Sequence, residues 1–302
     1  TGRRDGRVGL GRLIAGEGEH ARDQASDGPT ARAAFFVEPP PPLYDDRMLE
    51  DIVASVRNRL GPVIADAVRL REAASSAPPA RPFDAALQAD GLAVIAEVKR
   101  RSPSRGVIDP DLDPAARAVS YEEGGAAAVS VLTEPDHFAG SLDDLRTVRG
   151  AVGLPVLRKD FVVHPAQIWD ARAAGADAVL LIVAILDDDE LAALVEEAGA
   201  TGLAALVEVH TGEEAARALG AGATIVGVNN RNLATFDVDL TTAERIRPLL
   251  GDGVVTVAES GVSGPEGAAR MAGAGYDAIL VGEAAVRSSD PAGFVAALRG
   301  AR

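Results

Sequence analysis

The sequence predicts an α/β protein, a (β/α)8 TIM barrel with an extra N-terminal helix and a disordered N-terminal tail. From residue 92 onward, short apolar runs recur, and helix-like stretches lie between them. Eight strand–helix units at this spacing are typical of a (β/α)8 barrel. Crossovers long enough to contain a helix also require that neighbouring strands run parallel.

The first 47 residues differ in composition from the rest. They are rich in Gly, Arg, Ala and Asp, end near four prolines at 39–42, and show no lasting apolar period. We predict that 1–47 is a disordered, low-complexity tail. Apolar residues follow a helical period from Leu49, which predicts an extra helix over Met48–Arg71 that can cover one end of the barrel. Residues 48–302 then form a single barrel domain.

The barrel strands are predicted from eight apolar runs. These runs are Ala93–Lys99, Ala128–Thr133, Pro155–Lys159, Ala178–Ile182, Ala204–Val209, Ile225–Asn229, Val254–Glu259 and Ala278–Val281. The helix-like stretches include Leu142–Arg149, Pro165–Ala174, Asp188–Ala198, Glu213–Leu219, Thr242–Leu249 and Gly264–Ala274. Ala-Gly pairs at 174–175, 198–199 and 221–222 suit helix ends. A doubly wound open sheet is the alternative, but it requires a Gly-rich turn after the first strand, where Arg-Arg-Ser-Pro-Ser stands.

Composition excludes several classes of protein. The net charge is −15, which argues against broad binding to nucleic acids or to anionic membranes. The chain has no cysteine, so it has neither a disulfide framework nor a thiol nucleophile, and its four histidines lack metal-ligand spacing. No apolar run approaches the roughly 20 residues of a membrane span. The first residues also lack the apolar core of a signal peptide, so we expect a cytoplasmic protein.

The first strand ends in a carboxylate and an ammonium. Glu97 and Lys99 are two residues apart, so on a strand they point to the same face. Lys159, after the third strand, is the only other lysine, whereas 28 of the 30 basic residues are arginine. Lysine can be tuned to donate a proton near neutral pH, and arginine cannot. We interpret both lysines as chemical residues, with structural salt bridges as the alternative.

Polar residues also follow most of the other strands. They include Thr133 and Glu134 with Phe138, then Lys159 and Asp160, Glu208, Asn229 to Asn232, Glu259 and Ser260, and Glu283. In this fold the loops after the strands carry the chemistry. Each residue has a structural alternative: Glu208 as an ion-paired core residue, the asparagines as turn formers, Arg231 as a surface residue, and Phe138 as a loop anchor.

Glycines after the seventh and eighth strands indicate an anion site. Ser260-Gly261 and Gly282-Glu283 allow backbone N–H groups to approach an anion closely, and a short helix begins after Gly282. Many barrels of this class bind a phosphate group at this position. The sequence therefore predicts a phosphorylated small molecule as the binding partner.

Taken together, the motifs resemble the indole-3-glycerol phosphate synthases of tryptophan biosynthesis. The resemblance rests on Glu-Val-Lys-Arg-Arg-Ser-Pro-Ser, Ser-Val-Leu-Thr-Glu, Leu-Arg-Lys-Asp-Phe, Leu-Val-Glu-Val-His, Gly-Val-Asn-Asn-Arg-Asn-Leu, Ala-Glu-Ser-Gly and Leu-Val-Gly-Glu, in that order. It extends from about Met48 to the C-terminus. It implies ring closure of 1-(2-carboxyphenylamino)-1-deoxyribulose 5-phosphate, with loss of CO2 and water, to indole-3-glycerol phosphate. It also implies that no cofactor or metal takes part.

The resemblance also implies roles for particular residues. The catalytic set is Glu97, Lys99, Lys159, Glu208, Asn229 and Ser260; the substrate-binding set is Ser102, Phe138, Arg231, Glu259, Gly261, Gly282 and Glu283. The residue types fit the chemistry independently, because closing a ring onto a ketone places charge on its oxygen and needs an acid. Dehydration then needs a base and an acid. The division of these roles between the two lysines stays open.

Three other functions were weighed against this one. Phosphoribosylanthranilate isomerase is the neighbouring barrel, but its class uses a cysteine base, which this chain lacks. A fused synthase–isomerase would need nearly twice the length. A non-catalytic scaffold does not explain polar residues at so many strand ends. Other enzymes of the tryptophan pathway are possible partners that the sequence does not identify.

Overall fold

A computed structural model gives the fold of residues 48–232 and 235–301. The predicted tail, 1–47, lies outside the described residues. The eight strands are β1 (Ala93–Val98), β2 (Ala128–Leu132), β3 (Val156–Lys159), β4 (Ala178–Ile182), β5 (Ala204–Val209), β6 (Ile225–Asn229), β7 (Val255–Glu259) and β8 (Ala278–Val281). They are parallel and close into a barrel in the order β1-β8-β7-β6-β5-β4-β3-β2. The predicted barrel is confirmed, and each strand end lies within one residue of its predicted position.

Helices lie between the strands, as predicted. The described helices are α1 (Met48–Ala65), α2 (Ala67–Ser76), α3 (Phe83–Leu87), α4 (Pro114–Glu123), α5 (Pro135–Phe138), α6 (Leu142–Ala151), α7 (Pro165–Ala173), α8 (Asp188–Ala200), α9 (Gly212–Gly220), α10 (Thr241–Leu250), α11 (Pro265–Gly273), α12 (Glu283–Arg287) and α13 (Pro291–Arg299). The Ala-Gly pairs at 174–175 and 221–222 end α7 and α9, and each glycine adopts positive φ. The pair at 198–199 does not end a helix, so this prediction is wrong. Helix α8 continues to Ala200, and Gly202 adopts the left-handed conformation that follows it, with φ of 75°.

The extra N-terminal helix is not continuous. The predicted helix over Met48–Arg71 is two helices, α1 and α2, separated at Asp66, whose backbone has φ of −97° and ψ of 8°. Aspartate favours helix ends over helix interiors, because its carboxylate competes for local hydrogen bonds. Here the carboxylate of Asp66 accepts from the guanidinium of Arg69, in the first turn of α2. The break allows the two helices to pack on different parts of the barrel.

Two layers of apolar side chains form the core. The inner layer fills the barrel and includes Ile95, Leu157, Leu206 and Leu280, and the outer layer lies between the strands and the surrounding helices. Phe83 and Leu87 of α3 belong to the inner layer and are fully buried. Burying an apolar side chain of this size contributes roughly 1.5 to 3 kcal/mol. Apolar side chains thus fill the barrel interior below the carboxyl ends of the strands.

Strand register brings the polar strand ends to one level. Leu132 pairs with Lys159, Ile182 with Glu208, and Asn229 with Glu259. On five strands the inward side chain that follows the inner apolar layer is polar. These side chains point into the same end of the barrel: Glu97, Lys159, Glu208, Asn229 and Glu259. Within the described part of the chain, no helix is long and apolar enough to cross a membrane.

Candidate active site

A cavity of about 480 Å³ opens at the carboxyl ends of the strands. All thirteen residues predicted for the site line it: Glu97, Lys99, Ser102, Phe138, Lys159, Glu208, Asn229, Arg231, Glu259, Ser260, Gly261, Gly282 and Glu283. Met48, Leu49 and Ile52 of α1 cover one side, so the extra helix contributes to the cavity wall. This volume suits a small molecule that carries an aromatic ring and a sugar phosphate. The structure brings the predicted residues together, and their individual roles stay predictions.

Lys159 lies between two carboxylates. Its Nζ atom is 3.2 Å from Glu208 Oε2 and 3.2 Å from Glu259 Oε2. Burial lowers the pKa of Lys159, but the charges of Glu259 and Glu208 raise it by more, so the net pKa lies above its ordinary value. The resting side chain is therefore an ammonium. The neighbouring Asp160 pairs with Arg158, at 2.9 Å, and not with Lys159.

The two carboxylates beside Lys159 differ in their surroundings. Burial raises the pKa of Glu208, but Lys159, His210 and Asn229 together lower it below its ordinary value. Burial raises the pKa of Glu259 to about 7, and its Oε1 atom is buried without a hydrogen-bond partner. Two acids with opposite shifts therefore carry different charges at the same pH. Near neutral pH, Glu208 keeps its charge, and Glu259 holds a proton for part of the time.

A glycine on the adjacent strand makes room for Glu259. A Cβ atom on Gly227, in β6, would lie 2.1 Å from Glu259 Oε1. No side chain larger than hydrogen fits there without moving the carboxylate. Sequence reasoning missed Gly227, although a glycine inside an otherwise apolar buried strand signals the close approach of another group.

The pKa of Glu259 predicts how stability depends on pH. Its folded-state pKa of about 7 exceeds the ordinary 4.5, so this carboxyl favours the folded state below pH 4.5 and loses that contribution as pH rises to 7. Glutamine cannot ionise, so Glu259→Gln should gain thermal stability relative to the unmodified protein between pH 4.5 and 7, with no further gain above 7. Melting temperatures at pH 5 and pH 8 measure this. A difference that is independent of pH would contradict it.

The second lysine pairs with the acid on its own strand. Lys99 Nζ donates to Glu97 Oε1 at 2.6 Å, and the Glu97 side chain is 3% exposed. Gly282, at the end of β8, lies directly over this pair. A Cβ atom on Gly282 would lie 2.2 Å from Glu97 Oε1 and 2.8 Å from Lys99 Nζ. The missing side chain of Gly282 therefore leaves room for the Glu97–Lys99 pair as well as for the predicted anion.

This contact sharpens the expected effect of Gly282→Asp. A side chain there adds negative charge at the predicted phosphate position and displaces the Glu97–Lys99 pair. We therefore expect KM to rise and kcat to fall together. Gly253→Asp is the matched control, because that glycine is exposed just before β7, at the opposite end of the barrel, with nothing within 4 Å of an added Cβ. Steady-state kinetics on both folded variants test this, and unchanged KM and kcat in Gly282→Asp would refute it.

The loops after β7 and β8 surround the predicted anion site. Ser260 and Gly261 have φ values of 64° and 87°, so the backbone turns sharply after β7. Glu283 begins α12, and its carboxylate accepts from Arg105 Nε at 3.3 Å and Arg287 Nε at 3.2 Å. The acid at position 283 is thereby offset by two guanidinium groups. Arg105 and Arg287 also line the cavity, and sequence reasoning did not select them.

The opposite wall of the cavity is aromatic and apolar. Phe138 and Phe161 lie with ring centroids 6.2 Å apart. The residue before α5, Glu134, accepts hydrogen bonds from the backbone N–H groups of residues 136 to 138 and pairs with Arg59 of α1 at 2.8 Å. Arg231 donates to the carbonyl oxygen of Phe236 at 3.0 Å, and burial lowers the pKa of its guanidinium. A planar aromatic acid would find an apolar surface and an arginine here.

A closed parallel barrel with converging acids and lysines at the carboxyl ends of its strands is characteristic of (β/α)8-barrel enzymes. A family model described as "Indole-3-glycerol phosphate synthase" matches residues 49–298. The chain belongs to the indole-3-glycerol phosphate synthase family, as the motifs predicted.

Related proteins support this assignment. Indole-3-glycerol phosphate synthase of Kineococcus radiotolerans is 53% identical over 260 residues, covering 83% of this chain and 94% of the relative. The same enzyme of Parafrankia sp. is 54% identical over 258 residues, covering 83% of this chain and 94% of the relative. Among solved structures, a 3-hexulose-6-phosphate synthase is similar with a TM-score of 0.56 and 20% identity, covering 70% of this chain and 99% of that one. The last likeness concerns the fold alone.

Proposed function

We propose that the cavity closes the indole ring of its substrate through Lys159, with Glu97 and Lys99 completing the dehydration. The family's activity is that of a carboxy-lyase in tryptophan biosynthesis, which acts on a phosphorylated small molecule. The observation that carries the proposal is the position of Lys159, an ammonium 3.2 Å from each of two buried carboxylates. Such a group can donate a proton to a developing oxyanion in a largely desolvated site.

The first step forms a carbon–carbon bond. The ring carbon that bears the carboxylate attacks the ketone carbon of the deoxyribulose chain, and the ketone oxygen takes a proton from Lys159. The bond to the carboxylate then breaks, CO2 leaves, and its electron pair restores the aromatic ring. Glu208 lies against Lys159 and stabilises the positive charge that develops on the substrate during ring closure.

The second step is the loss of water. The new hydroxyl leaves as water after it takes a proton, and a base removes the proton from the adjacent carbon to form the indole double bond. Lys99 and Glu97, 2.6 Å apart, supply an acid and a base in contact. Asn229 and Ser260 hold the sugar chain, and its phosphate binds to backbone N–H groups near Gly261 and Gly282. Ser102 and Arg231 face the substrate carboxylate, and Phe138 packs on the ring.

Turnover of the synthetic substrate tests the proposal directly. Purified protein mixed with 1-(2-carboxyphenylamino)-1-deoxyribulose 5-phosphate should produce indole fluorescence and release one CO2 for each indole formed. Absence of both products, with a correctly folded protein, would refute the assignment. Because the substrate is a charged phosphate ester that does not cross membranes unaided, we propose the cytoplasm as the compartment.

We also propose that residues 48–302 form the catalytic domain by themselves. The cavity is lined by residues from Met48 to Arg287, and the family model begins at residue 49. Deleting 1–47 should therefore leave kcat/KM within tenfold of the full-length value, a difference below about 1.4 kcal/mol. Steady-state kinetics and melting temperature of both forms measure this. A fall in kcat/KM of more than tenfold would show that residues 1–47 contribute to activity.

A further inference from the structure

His210 occupies a position between two carboxylates just behind the cavity. It follows β5 directly, its side chain is 12% exposed, and it is outside the cavity lining. Its Nδ1 atom is 3.2 Å from Glu214 Oε2, in the first turn of α9, and its Nε2 atom is 3.5 Å from Glu208 Oε1. Nε2 is buried and makes no hydrogen bond to any described residue, so its approach to Glu208 is a close contact without hydrogen-bond geometry. The backbone N–H of His210 also donates to Glu214 Oε2, at 2.6 Å.

The geometry selects the protonation state of the ring. An ionised carboxylate only accepts hydrogen bonds, and a neutral imidazole carries a single N–H. The neutral ring can therefore donate to only one of the two carboxylates, whereas an imidazolium presents an N–H group to both. Burial lowers the pKa of His210, but the hydrogen bond that the ring donates to Glu214 and the charges of Glu208, Glu214 and Glu259 raise it by more.

Glu208 is held from both sides as a result. Its Oε2 atom faces the ammonium of Lys159 at 3.2 Å, and its Oε1 atom faces His210. Glu259, the other neighbour of Lys159, has a free oxygen and no comparable cation behind it. His210, outside the cavity, and Asn229, in its lining, therefore both favour the charge of Glu208.

We propose that His210 is a positioning residue, which as an imidazolium bridges Glu214 and Glu208 and holds Glu208 ionised and oriented against Lys159. This inference rests on the proposed role of the Glu208 site. The charged groups around the ring are Glu208 on β5, Glu214 on α9 and Glu259 on β7, with Lys159 on β3 beyond Glu208.

Two amide variants test the contact of His210 with Glu208 and its contact with Glu214 separately. Glutamine places its amide nitrogen near the position of Nε2, so His210→Gln still donates to Glu208 but carries no charge. Asparagine reaches only the position of Nδ1, so His210→Asn contacts Glu214 and leaves Glu208 without its donor. We expect kcat of His210→Asn to fall about tenfold at pH 7 with KM nearly unchanged, because a misplaced catalytic group costs rate. His210→Gln should stay within about threefold of the unmodified protein.

The pH profile tests the charge of the ring. The ratio of kcat for the unmodified protein to kcat for His210→Gln should exceed one in acid and approach one as pH rises through the pKa of His210. Removing the charge of the ring also shifts the pKa of Glu208, so the ratio reports the charge of His210 together with its effect on that carboxylate. His164→Asn is the matched control, because His164 only caps α7 through Nδ1 and asparagine caps helices well. Its kcat and KM should equal those of the unmodified protein.

A direct measurement keeps the proposal independent of turnover. In the ¹⁵N NMR spectrum, the imidazole of His210 should be more than half doubly protonated at pH 6.5, and Glu208→Gln should reduce that fraction. A neutral ring at pH 6.5 would overturn the proposal even if His210→Asn fails to fold. Full activity in a folded His210→Asn variant would also overturn it. If the unmodified protein gives no indole product, the proposed function fails instead, and the NMR result still decides the state of His210.

Discussion

Replacing Lys159 with arginine should lower kcat by at least about a hundredfold, the low end for loss of a general acid. Arginine keeps the positive charge between Glu208 and Glu259, but its guanidinium does not release a proton and is planar where the ammonium is compact. With both carboxylates only 3.2 Å from Nζ, the larger group cannot occupy the same point. The fold should persist, because the two buried carboxylates retain a cation.

Three measurements separate this outcome from a structural role. If Lys159 only stabilises the barrel, Lys159→Arg should have near-normal kcat and an altered melting temperature. Lys99→Arg should also lower kcat, and it should raise KM if Lys99 contacts the substrate phosphate. Arg146→Lys, an exchange between the same residue types in an exposed ion pair on α6, is the matched control and should leave both parameters unchanged. Near-normal kcat in both lysine variants would defeat the catalytic assignment.

Glu208→Gln should lower kcat by about a hundredfold or more at every pH, because the ionised carboxylate opposite Lys159 is lost. Glu259→Gln should behave differently, since its amide resembles the protonated carboxyl that Glu259 adopts below pH 7. We expect kcat of Glu259→Gln to fall by less than about tenfold at pH 6. The contrast follows from the opposite pKa shifts of two acids that contact the same ammonium.

Rate–pH profiles of the two glutamine variants decide this point. Each substitution changes one atom and preserves the size of the side chain, so folding should be retained in both. Equal losses in the two variants at pH 6 would show that the two carboxylates share their charge. A larger loss in Glu259→Gln would show that the ionised carboxylate needed beside Lys159 belongs to Glu259 and not to Glu208.

The sequence was sufficient to predict the strands, because each barrel strand is a continuous apolar run with a polar end. It also predicted the residues at those ends, since a parallel barrel brings all carboxyl ends together. The partners of these residues were not predictable. Lys159 pairs with Glu208 and Glu259, which are 49 and 100 residues away, and not with the adjacent Asp160. Pairing across a barrel depends on register, which a single sequence does not specify.

The other features that the sequence did not predict also depend on the folded structure. Gly227 is important only because Glu259 from the neighbouring strand occupies the space of its missing side chain. Asp66 interrupts the extra helix, although the apolar period continues across it. The motif Leu-Val-Glu-Val-His contained His210, but its contact with Glu214 requires α9 to begin where it does. Local sequence patterns identified candidate residues, whereas their contacts with distant residues became known only from the structure.

Both lysines of the chain face the same cavity, and this has a practical consequence for handling the protein. Amine-reactive dyes, crosslinkers and sensor surfaces normally attach at scattered surface lysines, and here every side-chain amine lies in the cavity. Labelling of the lysine side chains would therefore block the cavity. A cysteine introduced on the outer helices would give a unique attachment point, because the chain has no other thiol.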